Sequence, residues 1–306
     1  VSLAALSGHA GPAAEDSGSD ADGDLPRARR WYTPYLLLAP GLVWLAVFFL
    51  VPMVALASMS LQTGSLGEGY RLTWTFSNYS DALTTYASQF SRSFLYAGAA
   101  TILCLLIGYP LAYAIAFKAG RWRNLMLILV IAPFFTSFLV RTLSWKIILS
   151  DDGWVVGLLQ SLSLLDDNGR LLATPAAVIL GLTYNFLPFM VLPLYASLEK
   201  IDKRLLEAAA DLYATAFAAF RKVTWKLSLP GVVAGTLLTF IPAAGDYVNV
   251  QFLGTPNSAM VGTVIDSRFL TVLDYPTAAA LSFTLMVSVL VLVLVYVRRV
   301  GARELL

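Results

Sequence analysis

The sequence predicts an all-α membrane protein built as a bundle of six transmembrane helices, and three observations carry that prediction. Hydrophobic residues make up 58% of the 306 and charged residues 13%, where soluble domains carry roughly 25% charged residues, and the mean hydropathy is +0.71. Six continuously apolar runs each reach the roughly 20 residues a helix needs to cross ~30 Å of hydrocarbon. Lys and Arg gather in alternate connections between those runs, the pattern expected of cytoplasmic loops. A membrane β-barrel would instead alternate apolar and polar residues over segments of about 10. The net charge of +2 gives no reason to expect a nucleic-acid partner.

Residues 1–30 are rich in Gly, Ala, Ser and Asp and carry Glu15, Asp16, Asp20, Asp22 and Asp24 without any periodic apolar pattern. A disordered cytoplasmic tail is expected there. Val1 to Leu6 is too short an apolar run for a cleaved signal and follows no basic residue, so the first span is the expected targeting signal. A transmembrane domain over 31–303 follows, with spans at about 35–61, 93–117, 125–149, 176–198, 231–253 and 277–297 and a cytoplasmic connection at 199–230.

Orientation follows from the basic residues. With the N-terminus inside, fifteen of the 21 Lys and Arg fall on the cytoplasmic side: three at 27–30, three at 118–123, six at 200–226 and three at 298–303. Only Arg71, Arg92, Arg170 and Arg268 fall outside. Arg141 and Lys146 sit toward the outer end of the third span, where long side chains snorkel to the interface. Both termini are expected in the cytoplasm. Arg141 and Trp145, one turn apart, are expected to anchor the outer interface, with a gate or a docking point as the alternative.

The connection between the fourth and fifth spans holds EAAADLYATAFAAFRKVTWKLSLP, from Glu207 to Pro230. Asp202 is positioned to cap a helix from Lys203 to about Leu212, and Thr215 a second helix bearing Phe217, Phe220 and Val223 on one side. An amphipathic helix lying on the membrane surface is the plain alternative. The order Glu-Ala-Ala, then Phe220, Val223, Leu229 and Pro230, resembles the EAA loop of binding-protein-dependent ABC importer permeases. That resemblance implies a coupling helix that enters a cleft of a cytoplasmic ATPase, with Glu207, Ala208, Ala209, Asp211, Leu212, Tyr213, Phe217 and Phe220 as the coupling residues. Tyr213 stands where the family usually has Gly, a residue suited to a left-handed helix end. A bulky residue there costs on the order of 1–2 kcal/mol if the conformation is kept.

Further stretches narrow the resemblance. LAPGLVWLAVFFLVP (38–52), LVRTLSWKIILSDDGWVVGLL (139–159), GLTYNFLPFMVLPLYASLEKID (181–202) and FIPAAGDYVNVQFLG (240–254) are similar to the first permease subunit of spermidine/putrescine importers. The similarity covers about 35–300. It implies the six-helix bundle of type I ABC importer permeases in a bacterial cytoplasmic membrane. The implied assembly contains a second homologous permease, two cytoplasmic ABC ATPases that bind ATP and Mg, and an extracytoplasmic solute-binding protein.

The chain has no Gly-x-x-x-x-Gly-Lys-Ser/Thr phosphate loop, so hydrolysis is expected on a partner and no cofactor on this subunit. Its one histidine, His9, lies in the tail, which gives no basis for a metal site. Asp246 is the one carboxylate near the middle of a predicted span, behind Pro242 and Gly245. An intramembrane charge reads as functional by default, and Asp246, Tyr247, Asn249, Tyr184 and Asn185 offer the oxygens and aromatic faces that a chain of ammonium groups needs. Asp246 as the cap of a broken helix, or as the partner of a charge on the second permease, is the competing structural reading. Two other functions remain open at this point: an ABC importer for another small organic cation or solute, and an ATP-independent channel or secondary carrier.

Overall fold

A computed structural model describes residues 33–163, 165–166 and 169–301. The acidic stretch 1–30 lies outside the described residues. Two units divide the chain after Pro52. In the first, Thr33–Leu45 and Ala46–Leu50 are helical, with Leu37, Trp44 and Phe48 exposed. A helix that is apolar all round suits contact with lipid.

Among the described residues, five helices are long and apolar enough to cross a membrane: Leu37–Ser60, Ala87–Lys118, Pro175–Glu199, Ala216–Ala244 and Tyr275–Arg299. A bent pair, Gly120–Phe135 and Phe138–Ile148, makes a sixth crossing when counted as one span.

The core of the second unit joins the spans Ala87–Lys118, Pro175–Glu199 and Ala216–Ala244, because small residues let their backbones approach. Ala97, Ala100, Cys104 and Ala112 are buried along the first of these. A side chain added at Gly108 would meet Met190 and Val191 at 3.2 Å. On the third, one added at Gly231 would lie 2.5 Å from Ser197 Cβ, and one at Gly235 2.8 Å from Met190 Sδ. The final span is capped by Asp274, whose Oδ1 accepts from the Thr277 amide at 3.3 Å. It buries Ala278, Ala279, Ala280 and Leu281 near that end and leaves Val287, Leu290, Val291 and Leu294 exposed farther along.

Two spans differ from the sequence reading. The run 125–149 is not one straight helix: Gly120–Phe135 and Phe138–Ile148 meet at 95°. Pro133, which has no N–H to donate, sits in a 3-10 turn over Ala132–Phe135, and Thr136 and Ser137 then take extended backbone. The helix that carries the fifth span runs Ala216–Ala244, so it starts before and ends before the expected 231–253. The short helix that opens the 216–230 segment runs on through Phe220–Thr224 into the apolar stretch, and the chain then breaks at Gly245 before a separate helix, Val248–Leu253.

Candidate functional site

The 200–224 segment is built from two capped turns. Asp202 Oδ1 accepts from the Arg204 amide at 3.0 Å and starts the helix Lys203–Asp211. That helix ends in a Schellman arrangement: the Ala214 amide donates to Ala209 O at 3.0 Å and the Tyr213 amide to Ala210 O at 2.9 Å. Tyr213 occupies the left-handed position with φ +57°. Of the two outcomes open to a bulky residue there, the chain keeps the turn and accepts the strain. Thr215 Oγ1 then accepts from the Ala218 amide at 3.2 Å and opens the next helix.

These caps turn a set of side chains outward. Leu212 is 82% exposed, Tyr213 96% and Phe217 70%, with Glu207, Ala208 and Asp211 exposed beside them and Ala209 half-buried. Phe220 does not share this surface. It is half-buried, edge-on to Tyr109 at 5.7 Å and to Tyr113 at 6.1 Å.

The residues expected along a transport path divide into two groups. Asp246 lies not in mid-span but in the turn just past Ala244, 8% exposed. Its Oδ1 accepts from the Asn249 amide at 2.8 Å, so from one residue ahead of the N-cap Tyr247 it holds a first-turn amide of Val248–Leu253. Asn185 Nδ2 donates to Asn249 Oδ1 at 3.0 Å and to Thr142 Oγ1 at 3.3 Å. Asp246, Asn249 and Asn185 are thereby gathered with Thr142 where three helices meet. Thr142 escaped the sequence reading because a lone threonine in an apolar helix carries no signal of its own. Asn185 Oδ1 and Asn249 Nδ2 are buried without a hydrogen-bond partner among the described residues.

Tyr184 stands apart from that cluster, edge-on to Trp145 with ring centroids 5.3 Å apart. It lines a cavity of about 320 Å³ with Leu111, Met126, Pro133 and Pro188. Tyr247 is 42% exposed. Arg141, expected to reach outward to the interface, is instead 8% exposed. Its guanidinium lies 5.7 Å from the Phe134 ring and 5.5 Å from the Phe138 ring, and its Nε and Nη1 have no partner among the described residues. It sits on the inward face of Phe138–Ile148 with Thr142 and Trp145, which is why it does not snorkel.

Residues 105–303 match the family described as "Binding-protein-dependent transport system inner membrane component". The chain is 40% identical over 256 residues to the spermidine/putrescine transport system permease protein PotB of Haemophilus influenzae, covering 83% of this chain and 90% of that one. Against PotB of Escherichia coli it is 38% identical, over 83% of this chain and 93% of that protein. Among solved structures it is similar to a bacterial ABC transporter involved in the import of the acidic polysaccharide alginate. The TM-score is 0.64 at 20% identity, over 89% of this chain and 96% of that one. At that identity the likeness shows the fold, that of ABC importer permeases. A second structure, TM-score 0.61 at 20% identity over 88% of this chain and 94% of its match, contains the alginate transporter with its alginate-loaded periplasmic protein.

Proposed function

The chain belongs to the binding-protein-dependent transport system inner membrane components, the permeases of ABC importers, and from that premise we infer that it carries polyamines such as putrescine and spermidine inward. The observation that carries the cargo is the 40% identity, over 90% of its length, to a protein named as a spermidine/putrescine permease. The working assembly is a pair of homologous permeases, two cytoplasmic ATPases that hold ATP and Mg, and an external solute-binding protein. Both termini and the 200–224 segment face the cytoplasm, in keeping with the distribution of Lys and Arg.

The segment from Glu207 to Phe217 is the docking surface for the ATPase. Three large apolar side chains held out to solvent on a capped double turn favour an interface with another protein. ATP binding closes the ATPases and turns the permease pair outward to receive cargo, and hydrolysis returns it inward, each ligand shifting the pair by its differential affinity for the two states.

A polyamine is a string of ammonium groups separated by methylenes, and each ammonium seeks carboxylate or carbonyl oxygens or an aromatic face. Asp246 retains acceptor capacity beyond the one bond to Asn249, since a carboxylate accepts about four. The free Asn185 Oδ1 is a second acceptor in the same cluster. Tyr184, beside the 320 Å³ cavity, supplies an aromatic face.

Uptake of labelled putrescine and spermidine tests this, in cells that carry or lack the chain, each with an active or an inactive partner ATPase. Uptake that needs both establishes the polyamine importer. Unchanged uptake on deletion, with another solute lost in a wider screen, removes the polyamine assignment and keeps the family. Transport that persists without the ATPase points to a carrier or channel.

A further inference from the structure

Two spans of the second unit each carry a π turn. The span Ala87–Lys118 contains Pro110, which cannot donate to the helical ladder, and ends in a π turn over Ala114–Lys118. The span Ala216–Ala244 winds as a π turn over Phe220–Thr224, directly after the docking segment. Such turns carry one residue more than the α-ladder needs, and they collect at working parts of proteins.

Tyr109 joins the two. It is buried, and its ring meets Phe220 edge-on at 5.7 Å and Trp225 at 5.2 Å. Its hydroxyl lies 2.8 Å from Ser228 Oγ, and that hydroxyl in turn donates to Trp225 O at 3.0 Å. One side chain of the second span therefore grips three residues that follow the docking segment, Phe220, Trp225 and Ser228, spread over about two turns of the helix. Tyr113 adds a second edge-on contact to Phe220 at 6.1 Å. The segment is thus divided. Leu212, Tyr213 and Phe217 point out, while Phe220 points in and is fastened to the bundle.

We propose that Tyr109 is a positioning residue for coupling, through which displacement of the docking segment enters the second span. The inference rests on the reading of Glu207 to Phe217 as the ATPase surface. A buried core does not deform continuously, so ring contacts of this kind pass a rigid displacement on rather than absorbing it. Removal of the Tyr109 ring leaves the outward surface intact and takes away its contacts to Phe220, Trp225 and Ser228, with Tyr113 the remaining ring on Phe220.

The test uses the whole importer in lipid nanodiscs, with its binding protein loaded with putrescine. Tyr109→Ala is expected to retain the ATPase on purification and to keep basal hydrolysis. Stimulation of hydrolysis by the loaded binding protein is expected to fall about tenfold, within the usual range of coupling between sites. Tyr109→Phe, which keeps the ring contacts and loses only the bond to Ser228, is expected to recover most of it. If Tyr109→Ala does not assemble, Tyr109→Met decides, since it fills the space without a ring. Normal stimulation in Tyr109→Met overturns the proposal. Tyr213→Ala and Phe217→Ala run alongside. If they capture the ATPase as the unaltered importer does, the docking reading falls and takes the inference with it. If they lose it while Tyr109→Met couples normally, only the inference falls.

Discussion

The side-chain amide of Asn185 donates to Asn249 Oδ1 at 3.0 Å, across the junction between the long span Pro175–Glu199 and the short helix Val248–Leu253. Both residues are buried, and Gly181 makes the approach possible: a side chain there would lie 2.8 Å from Asn249 Oδ1 and 2.4 Å from Leu253 Cδ1. Asn249→Leu removes one of the two acceptors of Asn185 Nδ2, leaving Thr142 Oγ1 as the other, and one buried N–H is then unsatisfied at a cost of about 1–3 kcal/mol. A lower thermal midpoint for the purified importer is expected. An unchanged midpoint would mean that the cluster does not hold this junction.

How much of this was readable beforehand differs by element. The long spans were legible because continuous apolarity over two dozen residues has few alternative explanations. The bend at Thr136 and Ser137 was not, because Pro133 and two hydroxyl residues barely interrupt the hydropathy of 125–149 while they redirect the backbone. The start of the fifth span was lost for the opposite reason. Ala-rich sequence from Ala216 is helical but not distinctly apolar, so hydropathy begins the span at Gly231 and carries Asp246 into its middle. Gly231 and Gly235, four apart, form a close-packing pattern that hydropathy does not register. Tyr213 stands out in the sequence at the position where the family has Gly, but which way the turn resolves is visible only in the structure, where it is left-handed, and the inward turn of Phe220 depends on Tyr109 and Tyr113, over a hundred residues earlier.

Asp246 holds the Asn249 amide and, in the proposed path, serves as a charge, and two substitutions separate those roles. Asparagine offers the same side-chain oxygen, so Asp246→Asn is expected to keep the thermal midpoint, while Asp246→Ala leaves that buried amide unsatisfied and loses about 1–3 kcal/mol. If the carboxylate contacts an ammonium of the cargo, Asp246→Asn also lowers polyamine uptake, about tenfold for each 1.4 kcal/mol of lost contact. Uptake kinetics at several putrescine concentrations read this out. Normal uptake in Asp246→Asn would reduce Asp246 to its structural role.

Tyr213→Gly separates backbone from side chain in the docking turn. Glycine adopts φ +57° freely, so the substitution is expected to relieve about 1 kcal/mol of left-handed strain and to leave the turn unchanged. It also removes a ring that is 96% exposed. On the docking reading, the variant folds at least as well as the unaltered chain but retains less ATPase during purification. Equal retention, measured as ATPase recovered per permease, would show that the strained ring contributes nothing to the interface.

Close packing of the fourth and fifth spans is testable at Gly231. An added methyl there would lie 2.5 Å from Ser197 Cβ and 2.8 Å from Pro193 O, and neither a Cβ nor a backbone oxygen yields as the end of a flexible side chain does. Gly231→Ala is therefore expected to force the helices apart at a cost of about 1–3 kcal/mol. Gly98→Ala is the control, because a Cβ at Gly98 meets nothing within 4 Å. The comparison is made on membrane yield and thermal midpoint of the two variants, each in the assembled importer. Gly231→Ala should fall on both measures while Gly98→Ala holds. Equal behaviour would mean that the two spans separate more readily than their packing implies, and that the small residues at Gly231 and Gly235 do not set their distance.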